Sequence, residues 1–131
     1  MTIGFATRGI AEAPDVMAPD GSEVRLLATA ARGSMAHFRL PAGATSKAVR
    51  HRSVEELWFF TAGKGLMWRK LGEDEATIAV AAGISISIPT GAAFQFRAAG
   101  EAPLDAVAVT MPPWPGMDEA EPAEGIWEAT V

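Results

Sequence analysis

Alternation of apolar and polar residues, and no helical period, organises this chain. Gly83-Ile84-Ser85-Ile86-Ser87-Ile88-Pro89 switches at every step, so the isoleucines face one way and the serines the other. Phe94-Gln95-Phe96-Arg97 resumes the pattern after Pro89-Thr90-Gly91. Glu56-Leu57-Trp58-Phe59-Phe60 and Leu66-Met67-Trp68-Arg69 flank Gly63 and Gly65, which predicts two aromatic-rich strands joined by a tight turn. Val24–Ala28, Met35–Leu40, Ile78–Val80 and Leu104–Val109 predict four more, the second stopped by Pro41. Gly, Pro and Asp recur between these runs at short intervals. That punctuation predicts an all-β barrel or sandwich of one domain, and it excludes βαβ units.

The two ends depart from the pattern. Residues 1–21 are weakly patterned and predict an arm or an edge strand, residues 22–112 carry the barrel, and residues 113–131 form a Pro- and Trp-containing tail. No Lys or Arg follows Arg97, so the tail is sharply acidic. Trp114 and Trp127 predict that it packs on the barrel or on a partner, because exposed indole rings waste apolar area. Alanine supplies 26 of the 131 residues, which leaves a thin core and predicts a homodimer. In such a dimer Trp114 or Trp127 would lie under the neighbour's strands, with the acidic residues from Asp118 to Glu128 facing Arg25, Arg32 or Arg39.

Charge and cysteine usage narrow the function classes. Lys plus Arg number 11 against 16 Asp plus Glu, a net charge of -5 with no basic cluster, which argues against nucleic acid as a partner. Cysteine is absent, which excludes a disulfide scaffold, a thiolate zinc site, an iron–sulfur cluster and a cysteine nucleophile. No run of 18 apolar residues exists, and Arg8 and Glu12 interrupt the first dozen residues, so a soluble, cytoplasmic protein without membrane contact is expected. Ser53, Ser85 and Ser87 have no histidine and acid at triad spacing.

One constellation carries a resemblance. From Gly43 to Gly63 the chain reads Gly-Ala-Thr-Ser-Lys-Ala-Val-Arg-His-Arg-Ser-Val-Glu-Glu-Leu-Trp-Phe-Phe-Thr-Ala-Gly. This resembles the first motif of the cupin superfamily: a glycine, His-x-His, three or four residues, Glu, six residues and Gly. His51, Glu56 and Gly63 fall at the motif positions, and Val49 stands where the first histidine belongs. The second motif is Gly-x5-Pro-x-Gly-x2-His-x3-Asn; Gly83, Pro89 and Gly91 match it, while Phe94 replaces the histidine and Ala98 the asparagine. The resemblance covers residues 22–112 and implies a double-stranded β-helix, a jelly-roll barrel whose lumen takes a ligand or a metal. Family metal sites resemble three histidines plus a glutamate. Only His37 and His51 exist here, so a three-histidine site within one chain is impossible, and no metal or other cofactor is expected. Tyrosine is absent, which disfavours the sugar-nucleotide epimerases of this family.

The residues on the implied lumen face then set the chemistry. His51 with Glu56 is a candidate acid–base pair, a carboxylate holding an imidazole for proton transfer. The plainer reading is a buried histidine satisfied by its glutamate neighbour. Counting by twos puts Trp58 and Phe60 on the side of Glu56, and Phe96 on the side of Phe94, so Val49, Trp58, Phe60, Phe94 and Phe96 are candidate ligand-binding residues of an aromatic-walled pocket. Lys47, Arg50 and Arg52 bracket His51, either as a rim that draws an anionic group or as a solvated surface. His37 shares its strand face with Met35 and Arg39, opposite Phe38 and Leu40. The expected function is binding of a small organic molecule, apolar or aromatic, with metal-independent proton transfer by His51 and Glu56. Two other classes suit the same residues: a metal-dependent cupin oxygenase or isomerase with iron, manganese or zinc on His51 and Glu56, and a non-catalytic sensor or accessory binding protein.

Overall fold

The structure, a computed structural model, describes residues 4–131; the first three residues of the expected arm lie outside the described residues. Eleven strands are present among them: β1 (Val16–Met17), β2 (Glu23–Thr29), β3 (Ser34–Leu40), β4 (Val49–His51), β5 (Glu55–Ala62), β6 (Lys64–Leu71), β7 (Asp74–Ala81), β8 (Ser85–Ile88), β9 (Ala93–Ala99), β10 (Leu104–Met111) and β11 (Ala120–Pro122). One 3-10 turn, Met117–Glu119, precedes β11. No helix among the described residues is long and apolar enough to cross a membrane.

Two antiparallel sheets result, one ordered β1-β2-β3-β10-β5-β8 and the other β11-β4-β9-β6-β7. Alternation decides what faces inward. In β5, Glu56, Trp58 and Phe60 are buried while Leu57 and Phe59 are half exposed, and in β8 Ile86 and Ile88 are buried behind exposed serines. Ile84 breaks the expected isoleucine face: β8 starts only at Ser85, and Ile84 sits in the preceding turn, 42% exposed. Leu40, Trp58, Phe60, Met67, Ile88, Phe94, Phe96 and Leu104 fill the space between the sheets, each such side chain contributing about 2–3 kcal/mol of apolar burial.

Two glycines hold the frame that positions the lumen. Gly63 turns the chain between β5 and β6 at φ 79°, and a Cβ there would run into the Pro103 carbonyl. Gly91, at φ 85°, donates its amide to the His51 carbonyl at 3.0 Å and so fixes the end of β4.

Segments near both ends join the sheets. The turn Ala18–Ser22 joins β1 to β2 on the edge of the six-stranded sheet, and β11 extends the five-stranded sheet by pairing with β4. The tail packs on its own barrel. Buried Gln95 donates to the Ser46 and Trp127 carbonyls and accepts from the Ile126 and Trp127 amides, while Arg97 lies 5.4 Å over the Trp127 ring. Glu119 accepts from the Ser53 amide (2.7 Å), the Val54 amide (3.2 Å) and the Ser53 hydroxyl. Burial pushes the Glu119 carboxyl up, but these donors outweigh it and hold it below the usual range. Of Arg25, Arg32 and Arg39, the arginines expected to meet the tail acids of a second copy, Arg32 is exposed between β2 and β3 and the other two are engaged within the chain. Arg25 bonds Glu23 and the Ala11 and Glu12 carbonyls, and Arg39 bonds Asp105.

Candidate functional site

Strands of both sheets, the β1–β2 turn and the segment that leads to β11 converge on one cavity of about 330 Å³. Register brings the wall together. Val49 of β4 faces Phe94 of β9, and Glu56 of β5 faces Thr110 of β10. Trp58 follows Glu56 on the same face and stacks on Phe38 of β3, centroids 5.3 Å apart and planes within 8°. Phe94 meets Trp58 edge-on at 5.8 Å and His51 at 5.3 Å. Trp114, from the segment leading to β11, meets the other side of His51 at 5.5 Å.

The polar corner is small and buried. Glu56 accepts from the Trp58 indole N–H at 3.0 Å through Oε1 and from the Thr110 hydroxyl at 2.5 Å through Oε2. His51 Nδ1 is 3.7 Å from Glu56 Oε1, outside hydrogen-bond reach, and this buried nitrogen has no partner. Asp20 completes the corner from the β1–β2 turn, 4% exposed, its Oδ1 accepting from the Ser22 amide (2.9 Å) and hydroxyl (2.7 Å). Burial pushes the Asp20 carboxyl up, the Ser22 donors oppose this, and the Glu56 and His51 charges act in opposite senses.

Of the residues named from sequence, His51, Glu56, Val49, Trp58 and Phe94 line this cavity. Phe60 and Phe96 do not; both are core, 0% and 1% exposed, with Phe96 edge-on to the back of Trp58 at 5.1 Å. Lys47, Arg50 and Arg52 are not among the lining either. Arg50 faces an outer groove with Trp68 and Glu124, and Arg52 pairs with Glu121 at 3.2 Å, so neither brings charge to the lumen; the arginine in the lining is Arg8, half exposed beside Asp15. His37 points to the outer face, where its Nε2 lies 3.6 Å from Asp105 Oδ2. Among the lining residues that sequence reasoning missed, Asp20, Phe38, Thr110 and Trp114 shape the corner and the aromatic wall. Phe38 was within reach, since it alternates with the buried Leu40; Asp20-Gly21-Ser22 reads only as a turn.

The donor set does not fit a transition ion. Both Glu56 oxygens already accept hydrogen bonds, Val49 and Phe94 offer no lone pair, and His37 lies across the sheet. Among the described residues no group of three His, Asp or Glu side chains is placed to hold a metal. What the arrangement offers instead is an apolar, aromatic-walled chamber with an imidazole and two carboxyl groups at one end.

Comparison with known proteins bears on the fold. Residues 36–110 match the family described as Cupin domain. No curated protein matches the sequence. An uncharacterized conserved protein with a double-stranded β-helix domain from Klebsiella pneumoniae superposes with a TM-score of 0.65 at 13% identity over 92% of both chains. A Bacillus halodurans protein gives 0.63 at 20% identity over 70% of each chain. The capsular polysaccharide assembling protein CapF of Staphylococcus aureus gives 0.66 at 15% identity over 79% of this chain and 30% of its own length. At such identities the likeness shows a shared double-stranded β-helix and carries no activity across.

Proposed function

The chain belongs to the cupin domain family, and from that premise we propose that it binds a small apolar or aromatic organic molecule in the lumen, with proton transfer by His51 where chemistry occurs. The observation that carries this reading is the cavity of about 330 Å³ whose aromatic wall ends in the buried His51–Glu56–Asp20 corner. Glu56 does not bond His51, so its role is to place a negative charge 3.7 Å from the imidazole while Trp58 and Thr110 hold its carboxyl still. Trp58, Phe38 and Phe94 supply the flat surfaces against which a planar ligand would lie.

The test uses the full chain. Native mass spectrometry identifies what co-purifies in the lumen, and melting shifts follow a panel of apolar and aromatic compounds. Val49→Trp, which fills the lumen beside Phe94, is expected to abolish the shifts while circular dichroism remains β-dominated. A panel that never moves the wild-type melting point, or shifts that persist in Val49→Trp, would overturn the reading.

A further inference from the structure

Asp20 is buried in the lumen wall with only 4% of its surface exposed, and nothing so far gives it a task. Its hydrogen bonds are one-sided. Both Ser22 donors converge on Oδ1, and neither reaches Oδ2. With both donors on one oxygen, the other is left free to carry a proton and donate it. The Ser22 donors favour the charged form, and burial outweighs them. No Lys or Arg side chain bonds Asp20. The arginine in the lining, Arg8, is half exposed and sits 3.9 Å from Asp15. The second carboxyl on the wall, Glu56, repels another anion, although His51 partly offsets it. A neutral acid and a hydrogen-bonded carboxylate in one cavity divide the roles of donor and acceptor between them.

We infer, resting on the reading of the lumen as a ligand site, that Asp20 is its hydrogen-bond donor and selects ligands bearing a neutral carbonyl oxygen (a ketone, aldehyde or lactone) on an apolar or aromatic body. The ligand oxygen takes the place of the acceptor that Oδ2 lacks, its body lies on Trp58 and Phe94, and His51 faces it from β4. A ligand carboxylate is disfavoured, because it would enter beside Glu56 with no cation bonded to the corner. An ammonium ligand is the competitor, since it would require Asp20 to ionise.

The experiment compares acetophenone with α-methylstyrene, which replaces the carbonyl oxygen by a methylene group of similar shape, and with benzylamine. Binding to the full chain is followed by NMR titration in the wild type, Asp20→Asn and Asp20→Ala. The ketone is expected to bind about tenfold tighter than the hydrocarbon in the wild type. Asp20→Asn retains that preference, since its amide N–H stands where the acid O–H stood and its oxygen keeps the Ser22 bonds. Asp20→Ala loses it, along with the downfield carbonyl 13C shift of bound acetophenone, while α-methylstyrene binds all three alike. Equal wild-type affinity for ketone and hydrocarbon overturns the inference and leaves the lumen reading intact. Tighter binding of benzylamine, lost in Asp20→Asn, also overturns it, by showing an ionised Asp20. Absence of binding by both apolar probes overturns the lumen reading and the inference together.

Discussion

Two buried polar clusters, each built around a histidine and a carboxyl group, occupy opposite faces of the six-stranded sheet, and they are made differently. On the outer face Asp105 is chelated by Arg39 through Nε (2.9 Å) and Nη2 (3.0 Å), with His37 Nε2 at 3.6 Å and Arg25 opposite His37 in register. Burial pushes the Asp105 carboxyl up, but the arginine outweighs this and holds it below the usual carboxylate range. In the lumen Asp20 and Glu56 are bonded only by neutral donors, and no arginine or lysine answers them. The outer cluster is electrically answered and suited to holding strands together. Each cluster leaves one buried imidazole Nδ1 without a partner, so the two differ in countercharge and not in unused hydrogen-bonding capacity.

The largest expected effect breaks the outer cluster. Asp105→Ala leaves Arg39 and His37 without their shared anion, while Arg25 keeps Glu23. It should cost about 2 kcal/mol in urea unfolding, less than a fully buried pair because the Arg39 side chain is 40% exposed. A loss indistinguishable from zero would make the cluster ornamental and erase the contrast.

A smaller effect, of opposite sign, belongs to the lumen. Asp20→Asn should stabilise the protein by about 1 kcal/mol at neutral pH, since it removes a buried ionisable group and keeps the Ser22 bonds. The pH dependence sharpens the comparison. The Asp20 carboxyl is raised from 3.8 by burial, so the unfolded chain ionises first and this residue's contribution is lost as pH rises from about 4 through the folded value. His37 is lowered from 6.5 by burial, so the unfolded chain takes up the proton first and stability is lost as pH falls below about 6.5. Between those limits the two oppose each other. Asp20→Asn should therefore steepen the acid loss of stability and His37→Gln should flatten it, read as unfolding free energy against pH. Equal slopes in both variants would show that neither residue is perturbed by its surroundings.

The smallest expected effect is none at all. Chelator should leave the melting temperature within about 1 °C, and elemental analysis should find well under one equivalent of transition metal, because His51 and Glu56 alone make a weak ligand pair. A stoichiometric ion would require the lumen to rearrange, since both Glu56 oxygens are otherwise engaged.

Much of this molecule was legible along the chain. The strict period of two in residues 85–88 and 94–97, the spaced glycines at 63, 83 and 91, and Pro89 set the strands, the turns and the family, because side-chain alternation and φ-permissive turns are local properties that residue type dictates. The same counting put Glu56 with Trp58 on an inward face, and the motif resemblance put Val49 and His51 there. It could not tell how far along the barrel axis a residue sits, so Phe60 and Phe96 were placed with the lining although they fill the closed core. Nor could it see contacts between segments distant in sequence. Asp20 reaches the His51 corner across 31 positions only because β1 and β2 lie on the sheet edge, and Trp114 covers His51 only because β11 pairs with β4. Arg52, placed beside His51 by sequence, follows the end of β4 and turns outward to Glu121. The sequence by itself determined eight of the eleven strands, β2, β3 and β5 to β10, with the inward face of β5 and the absence of a three-histidine site within one chain. Which carboxyl groups are left without a countercharge was decided only when the sheets closed, since that depends on distances between residues that alternation leaves undefined.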